Sequence, residues 1–112
     1  MSLEDRIKKA RESTVTVGNA TFNCRLASVQ EYVEYSIKSV IDPDVCRKHV
    51  TGWSGVTEAD LIEDGKKDPV EFSAELFDLV ISDKPGWWQA IYKHVIEKAK
   101  QRLEDKAANE KK

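Results

Sequence analysis

Cysteine is scarce in this 112-residue chain: only Cys24 and Cys46 occur, too few for the disulfide framework of a small secreted domain. Three prolines and five glycines leave no proline-rich spacer and no glycine–serine linker. No apolar run approaches the roughly 20 residues of a membrane helix. The segment Met1–Glu12 is charged and has no signal-peptide core. These absences lead to the expectation of a soluble, cytoplasmic chain. A basic excess is missing too: Lys and Arg number 18 against 20 Asp and Glu, net −2, which argues against a nucleic-acid footprint. Also absent are Gly-x-Ser-x-Gly, a glycine-rich phosphate loop and His-Glu-x-x-His, so no catalytic residue and no cofactor is expected.

Metal chemistry has little to work with. Cys46-Arg47-Lys48-His49 gives one Cys-x-x-His pair, but a structural zinc site needs a second pair. Cys24 and His94 are the only other thiol and imidazole. Small core cysteines and structural histidines are the better expectation. The acidic run Glu58, Asp60, Glu63, Asp64 lacks the order of a calcium loop and reads as a solvated face.

What is present is a modest core under a heavily charged surface. Hydrophobic residues make up 40% and charged residues 34%, with three each of Trp, Tyr and Phe. Surface scaling gives about 6,200 Å² folded against about 18,400 Å² unfolded, enough burial for one thin core. The charge is unevenly spread: residues 57–78 carry 2 basic and 8 acidic groups, whereas residues 84–112 carry 8 basic and 4 acidic. An acidic middle and a basic end can steer one copy onto the next, in which case assembly weakens as salt rises. Lys93, Lys98, Lys100 and Arg102 alternate with Glu97, Glu104 and Asp105. That is a mixed-charge helix face, with no need of DNA.

Residues 1–112 read as a single, mainly α domain of α+β class. Its parts are an N-terminal helix or arm (1–12), a β-hairpin (13–26), a helical core (28–104) and a polar, frayed tail (105–112). The short hairpin packs on the helical domain, which ends in a long C-terminal helix. Leu3, Ile7 and Ala10 share one face of the first helix. Thr14–Val17 and Ala20–Leu26 are β-prone runs around a Gly18-Asn19 turn. Ser28 and Glu31 form a capping box. The helix it opens should bury a stripe of Val29, Tyr32, Val33, Ser36, Ile37, Val40 and Ile41. Asp42-Pro43 interrupts it and starts a second helix, with Asp42 as cap and Gly52 as stop. Thr57 caps a short turn through Ile62, Asp68–Phe72 is extended, and Ser73 caps a helix carrying Leu76, Phe77, Val80 and Ile81. The last helix, about 86–106, keeps Trp88, Ile91, Tyr92, Val95, Ala99 and Leu103 on one stripe, part of which is expected to meet another chain.

The aromatics carry the functional expectation. Trp53 lies in the glycine-flanked segment Gly52–Val56, and Gly52, Gly55 and Gly65 are expected turn residues. Trp87 and Trp88 point about 100° apart on a helix, so both cannot easily enter one small core. Trp is enriched at binding hot spots. Trp53, Trp87, Trp88, Ile91 and Phe72 are therefore the candidates for a partner-binding or oligomer surface on a protein without chemistry of its own.

The order of these features resembles the tail assembly chaperones of long-tailed bacteriophages and prophages. The resemblance is carried by the hairpin with Phe22 and Arg25, the Ser28-capped helix, and Val50-Thr51-Gly52-Trp53-Ser54-Gly55-Val56. An acidic stretch to Asp64-Gly65, then Val70-Glu71-Phe72-Ser73, then Pro85 and a long charged helix complete it, over residues 14–109. The segment from Asp64 to Phe72, with Lys66-Lys67-Asp68, is longer and more charged than in the family. The resemblance implies a non-catalytic factor in the bacterial cytoplasm. It would coat the tape measure protein until tail tube subunits assemble around it, and be absent from the mature virion. It also implies self-association, with the tail tube protein as a further partner, and in many relatives a longer frameshifted product. The alternatives are another phage structural component, such as a head–tail connector subunit, and a small helical DNA-binding regulator.

Overall fold

The computed structural model describes residues 2–38 and 41–110, with side chains as far as Asp105. In chain order the elements are α1 (Leu3–Ala10), β1 (Glu12–Val17), β2 (Ala20–Arg25), α2 (Val29–Ile37), α3 (Asp42–His49), β3 (Val50–Ser54), α4 (Glu58–Leu61), α5 (Ala74–Ile81) and α6 (Pro85–Glu110). The class is α+β, mainly helical.

The hairpin forms where the Gly18-Asn19 turn predicts, with Val17 opposite Ala20 and Gly18 at φ +60°. It is not a lone hairpin. β3 adds antiparallel to β2, in the order β1-β2-β3. This corrects the helical assignment of 28–104 and the reading of Gly52 as a turn: Gly52 sits in β3 opposite Asn23, and α3 stops at His49. A Cβ on Gly52 would lie 3.1 Å from Nδ2 of the exposed Asn23 side chain, which would have to shift by a few tenths of an ångström. Gly55 makes the turn that leaves β3, at φ +74°.

Caps behave as local chemistry requires. Ser28 accepts from Glu31 N–H, while the Glu31 carboxylate accepts from Ser28 N–H. Ser73 accepts from Leu76 N–H. Asp60 accepts from the N–H and hydroxyl of Thr57. At α3 the cap position is Ile41 rather than Asp42, which moves into the first turn beside Pro43. The frayed tail is also corrected: the backbone of α6 stays helical to Glu110, about 39 Å of helix, and residues 111–112 lie outside the described residues.

The core gathers Phe22, Cys24, Val45, Cys46, Val56, Phe77, Ile81, Ile91, Val95 and Ala99, between the inner face of the sheet and helices α3, α5 and α6. The α6 stripe faces this core, with Val95 fully buried. The stripe on α2 does not. Val33, Ile37 and Ile41 are 44%, 78% and 61% exposed, and Val40 lies outside the described residues. The cause is rotation of the helix. Arg25 holds Glu31 through two hydrogen bonds, and His49 holds the Tyr35 hydroxyl. Glu31, Tyr32 and Tyr35 therefore turn inward, and the face bearing Val33 and Ile37 turns out. On α1 every residue from Leu3 to Ala10 is exposed.

The molecule is thinner than its length requires. Its accessible surface is 7,711 Å², against about 6,200 Å² for a compact chain of this mass. The radius of gyration is 15.6 Å, against about 13 Å expected.

Candidate protein-interaction site

Three of the five candidate residues converge. Trp53 leaves β3 toward α5 and α6. Its ring lies 5.2 Å from Phe72, 6.3 Å from Phe77 and 6.4 Å from Trp87, centroid to centroid. Trp87 in turn stacks edge-on against Phe22 at 5.0 Å. Such tilted and edge-to-face contacts are the favoured aromatic geometries. The Trp53 indole N–H donates to Val70 O at 2.8 Å, which fastens the Val56–Phe72 segment across the cluster. That segment is further held by Val70 N–H to Val56 O and by a Thr57–Pro69 bridge.

Exposure divides the candidates. Trp53 is 8% exposed and Ile91 is fully buried, so both belong to the core of the single chain rather than to its surface. Phe72, Trp87 and Trp88 are half-buried. Neither Trp87 nor Trp88 enters the core fully; each packs one side against it and keeps the other at the surface. Trp87 lies on Phe22, with Lys84 Nζ 5.3 Å from its ring. Trp88 sits toward α3, where Cys46 Sγ–H donates to its carbonyl.

Next to the aromatic cluster lies a groove of about 300 Å³ between α3, β3 and α5. Val50, Phe72 and Phe77 form its floor, and Arg47, Ala74, Glu75 and Asp78 its rim. Arg47 bridges the walls, paired with Asp44 on its own helix and with Asp78 on α5. Phe72 belongs both to this floor and to the aromatic cluster. Sequence reasoning picked out Phe72 but missed Arg47, Glu75 and Asp78. The α5 acids were visible only as part of a charged middle, and Arg47 only as half of a Cys-x-x-His spacer.

Several titratable groups elsewhere are buried and bonded within the fold. Burial pushes the Cys24 thiol up to about 11 and the Cys46 thiol to about 12, so both stay protonated. His49 is fully buried; its Nδ1–H donates to Arg25 O at 3.0 Å, and Nε2 accepts from Tyr35 Oη at 2.7 Å. Burial, with the nearby Arg25 charge, lowers the pKa of its ring and favours the neutral form. Hydrogen bonds from Arg25 pull Glu31 down to about 2, and burial raises Tyr35 to about 12. His94 meets Ser13 Oγ at 2.9 Å, and burial lowers its pKa as well. Among the described residues no three His, Cys, Asp or Glu side chains gather as a metal site, and no helix is long and apolar enough to cross a membrane.

Comparisons of the chain with models of protein families, with curated proteins and with solved structures find no match.

Proposed function

We propose that this chain is a phage tail assembly chaperone, a non-catalytic protein that self-associates and covers the tape measure protein in the bacterial cytoplasm before the tail tube closes around it. The observation that carries the proposal is a coincidence of sequence and geometry. The segments that carry the family resemblance, Gly52–Val56 and Val70–Ser73, are tied to each other by the Trp53–Val70 hydrogen bond. Together they hold Phe72 in the floor of an apolar groove.

A chaperone for apolar helices needs accessible apolar surface on a soluble carrier. Phe72 on the groove floor supplies the first, and the charged surface the second. A client helix seats an apolar side chain on Val50, Phe72 and Phe77, between the acidic rim and Arg47. Each contact is small, and many copies along one long client gain avidity.

The test is co-expression with a phage tape measure protein, sought as the product of a very long gene beside the one that encodes this chain. A soluble complex that co-purifies, with the chain absent from finished virions, supports the proposal. A chain that remains a stoichiometric part of purified virions makes it a structural component such as a head–tail connector subunit, and the proposal fails.

A further inference from the structure

We propose that the open edge of β1 docks against β1 of a second copy of this chain, antiparallel about Thr14, so that two three-stranded sheets become one. This names the surface for the self-association proposed above and rests on that part of it.

The backbone supplies the first argument. The two-residue turn makes Val17 and Ala20 a hydrogen-bonded pair, and alternation makes Val15–Phe22 and Ser13–Cys24 the next two. Arg11 O, which accepts from Leu26 N–H, continues the same alternation. The N–H and C=O groups of Glu12, Thr14 and Thr16 therefore point away from β2, and no turn, loop or helix backbone among the described residues bonds to them. Among the described residues no element pairs with this edge. α1 is exposed at every residue, and α6 reaches β1 through the core-facing Ser13 rather than through the edge.

The second argument is the contrast between the two edges. Natural sheets blunt open edges with Pro, Lys or bulges. β3 carries a bulge where its register shifts at Asn23/Cys24, and a glycine at position 52. β1, Glu-Ser-Thr-Val-Thr-Val, has no Pro, no Lys and no bulge in its pairing with β2.

The third argument selects a second copy as the occupant. Pairing about Thr14 sets Thr14 opposite Thr14, Glu12 opposite Thr16 and Ser13 opposite Val15 of the other copy. Side chains that share a face of one sheet then share the same face of the other. The outward groups of Glu12, Thr14 and Thr16 become hydrogen-bonded twice over by the two-fold. The only charge on the strand, Glu12, meets a threonine. Its counterpart in the second copy sits four residues along, about 13 Å away, beyond the roughly 8 Å screening length at physiological salt. A helical client has no strand edge to offer, whereas a second copy has an identical one.

The experiment is sedimentation velocity over a concentration series on wild type and Thr14→Pro, with cysteine cross-linking as a second measurement. Because the Thr14 N–H points away from β2, proline there removes an edge donor and leaves the hairpin ladder intact. The expected result is a wild-type dimer that persists at about 0.5 M salt, weakened at least about tenfold by Thr14→Pro with an unchanged circular dichroism spectrum. Under oxidation Thr14→Cys should yield a covalent dimer and Thr16→Cys should not. If Thr14→Pro fails to fold, the cysteine pair decides. Association that salt abolishes and Thr14→Pro leaves unchanged overturns the edge and leaves self-association standing on the acidic and basic segments. Equal cross-linking at both positions also overturns it. A wild type that stays monomeric at every concentration overturns the edge and the self-association together.

Discussion

Trp53 donates its indole N–H to the backbone carbonyl of Val70, 2.8 Å away and 17 residues later in the chain. One side chain thus anchors the irregular segment between β3 and α5, and holds Phe72 beside the aromatic cluster. Trp53→Phe keeps the ring packing and removes the donor, leaving the Val70 carbonyl unpaired at a cost of about 1–3 kcal/mol. Urea unfolding followed by circular dichroism measures the loss. Hydrogen exchange should locate it at residues 56–72.

Gly55 and Gly86 should respond in opposite directions to the same substitution. At Gly55, φ is +74° and an added Cβ would fall 2.1 Å from the carbonyl oxygen of Asn19. Gly55→Ala must therefore displace the hairpin turn, a loss of more than about 1 kcal/mol. At Gly86, in the first turn of α6, nothing lies within 4 Å of that position. Gly86→Ala should be neutral or stabilising by up to about 1 kcal/mol. Thermal melts of the two variants check both signs.

The dependence of stability on pH follows from two groups of opposite charge type. His49 is buried neutral with its pKa lowered, so the unfolded chain binds more protons than the folded one as pH falls below about 6.5. Stability therefore declines on acidification through that range. Glu31, at about 2 in the folded state, contributes stability above about 4.5 that is lost progressively toward pH 2. His94 adds to the upper part of the decline, having the same direction of shift. Denaturation midpoints between pH 8 and 4 should show the slope. His49→Asn, which can still donate to Arg25 O, should reduce the slope above pH 5 to the share that His94 contributes, although the variant is less stable overall.

Ala74→Glu separates binding from folding. Ala74 is exposed in the first turn of α5 and lines the groove, where an acidic residue suits the helix N-terminus. The melting temperature should hold, while client capture falls because a longer, charged side chain on the rim narrows the entrance to the apolar floor. Trp87→Ala is a poorer probe, since Trp87 packs on the buried Phe22 and its loss destabilises the fold.

Local chemistry made much of the fold legible. Gly18-Asn19 announced the hairpin, Ser28 with Glu31 and Ser73 announced two helix starts, and the period of Trp88, Ile91, Val95 and Ala99 marked the buried face of α6. β3 escaped because Val50–Ser54 contains a glycine and is set by pairing with β2 across more than 25 residues of chain. The α2 stripe was misassigned because Val33 and Ile37 are as apolar as Val29. What rotates the helix is the hold of Arg25 on Glu31 and of His49 on Tyr35, pairings that no periodicity contains. Of the candidate site, the aromatic residue types were legible. Which of them keep surface, Phe72 but not Ile91, depended on how β3 and α5 close over the core.

The most direct measurement is capture of the tape measure protein on co-expression, with wild type and Ala74→Glu side by side. A soluble client co-purifying with several copies of the wild-type chain, and lost with a folded Ala74→Glu, is the result expected of a chaperone working through the Phe72 groove. A tape measure protein that aggregates equally with and without the wild-type chain would contradict it.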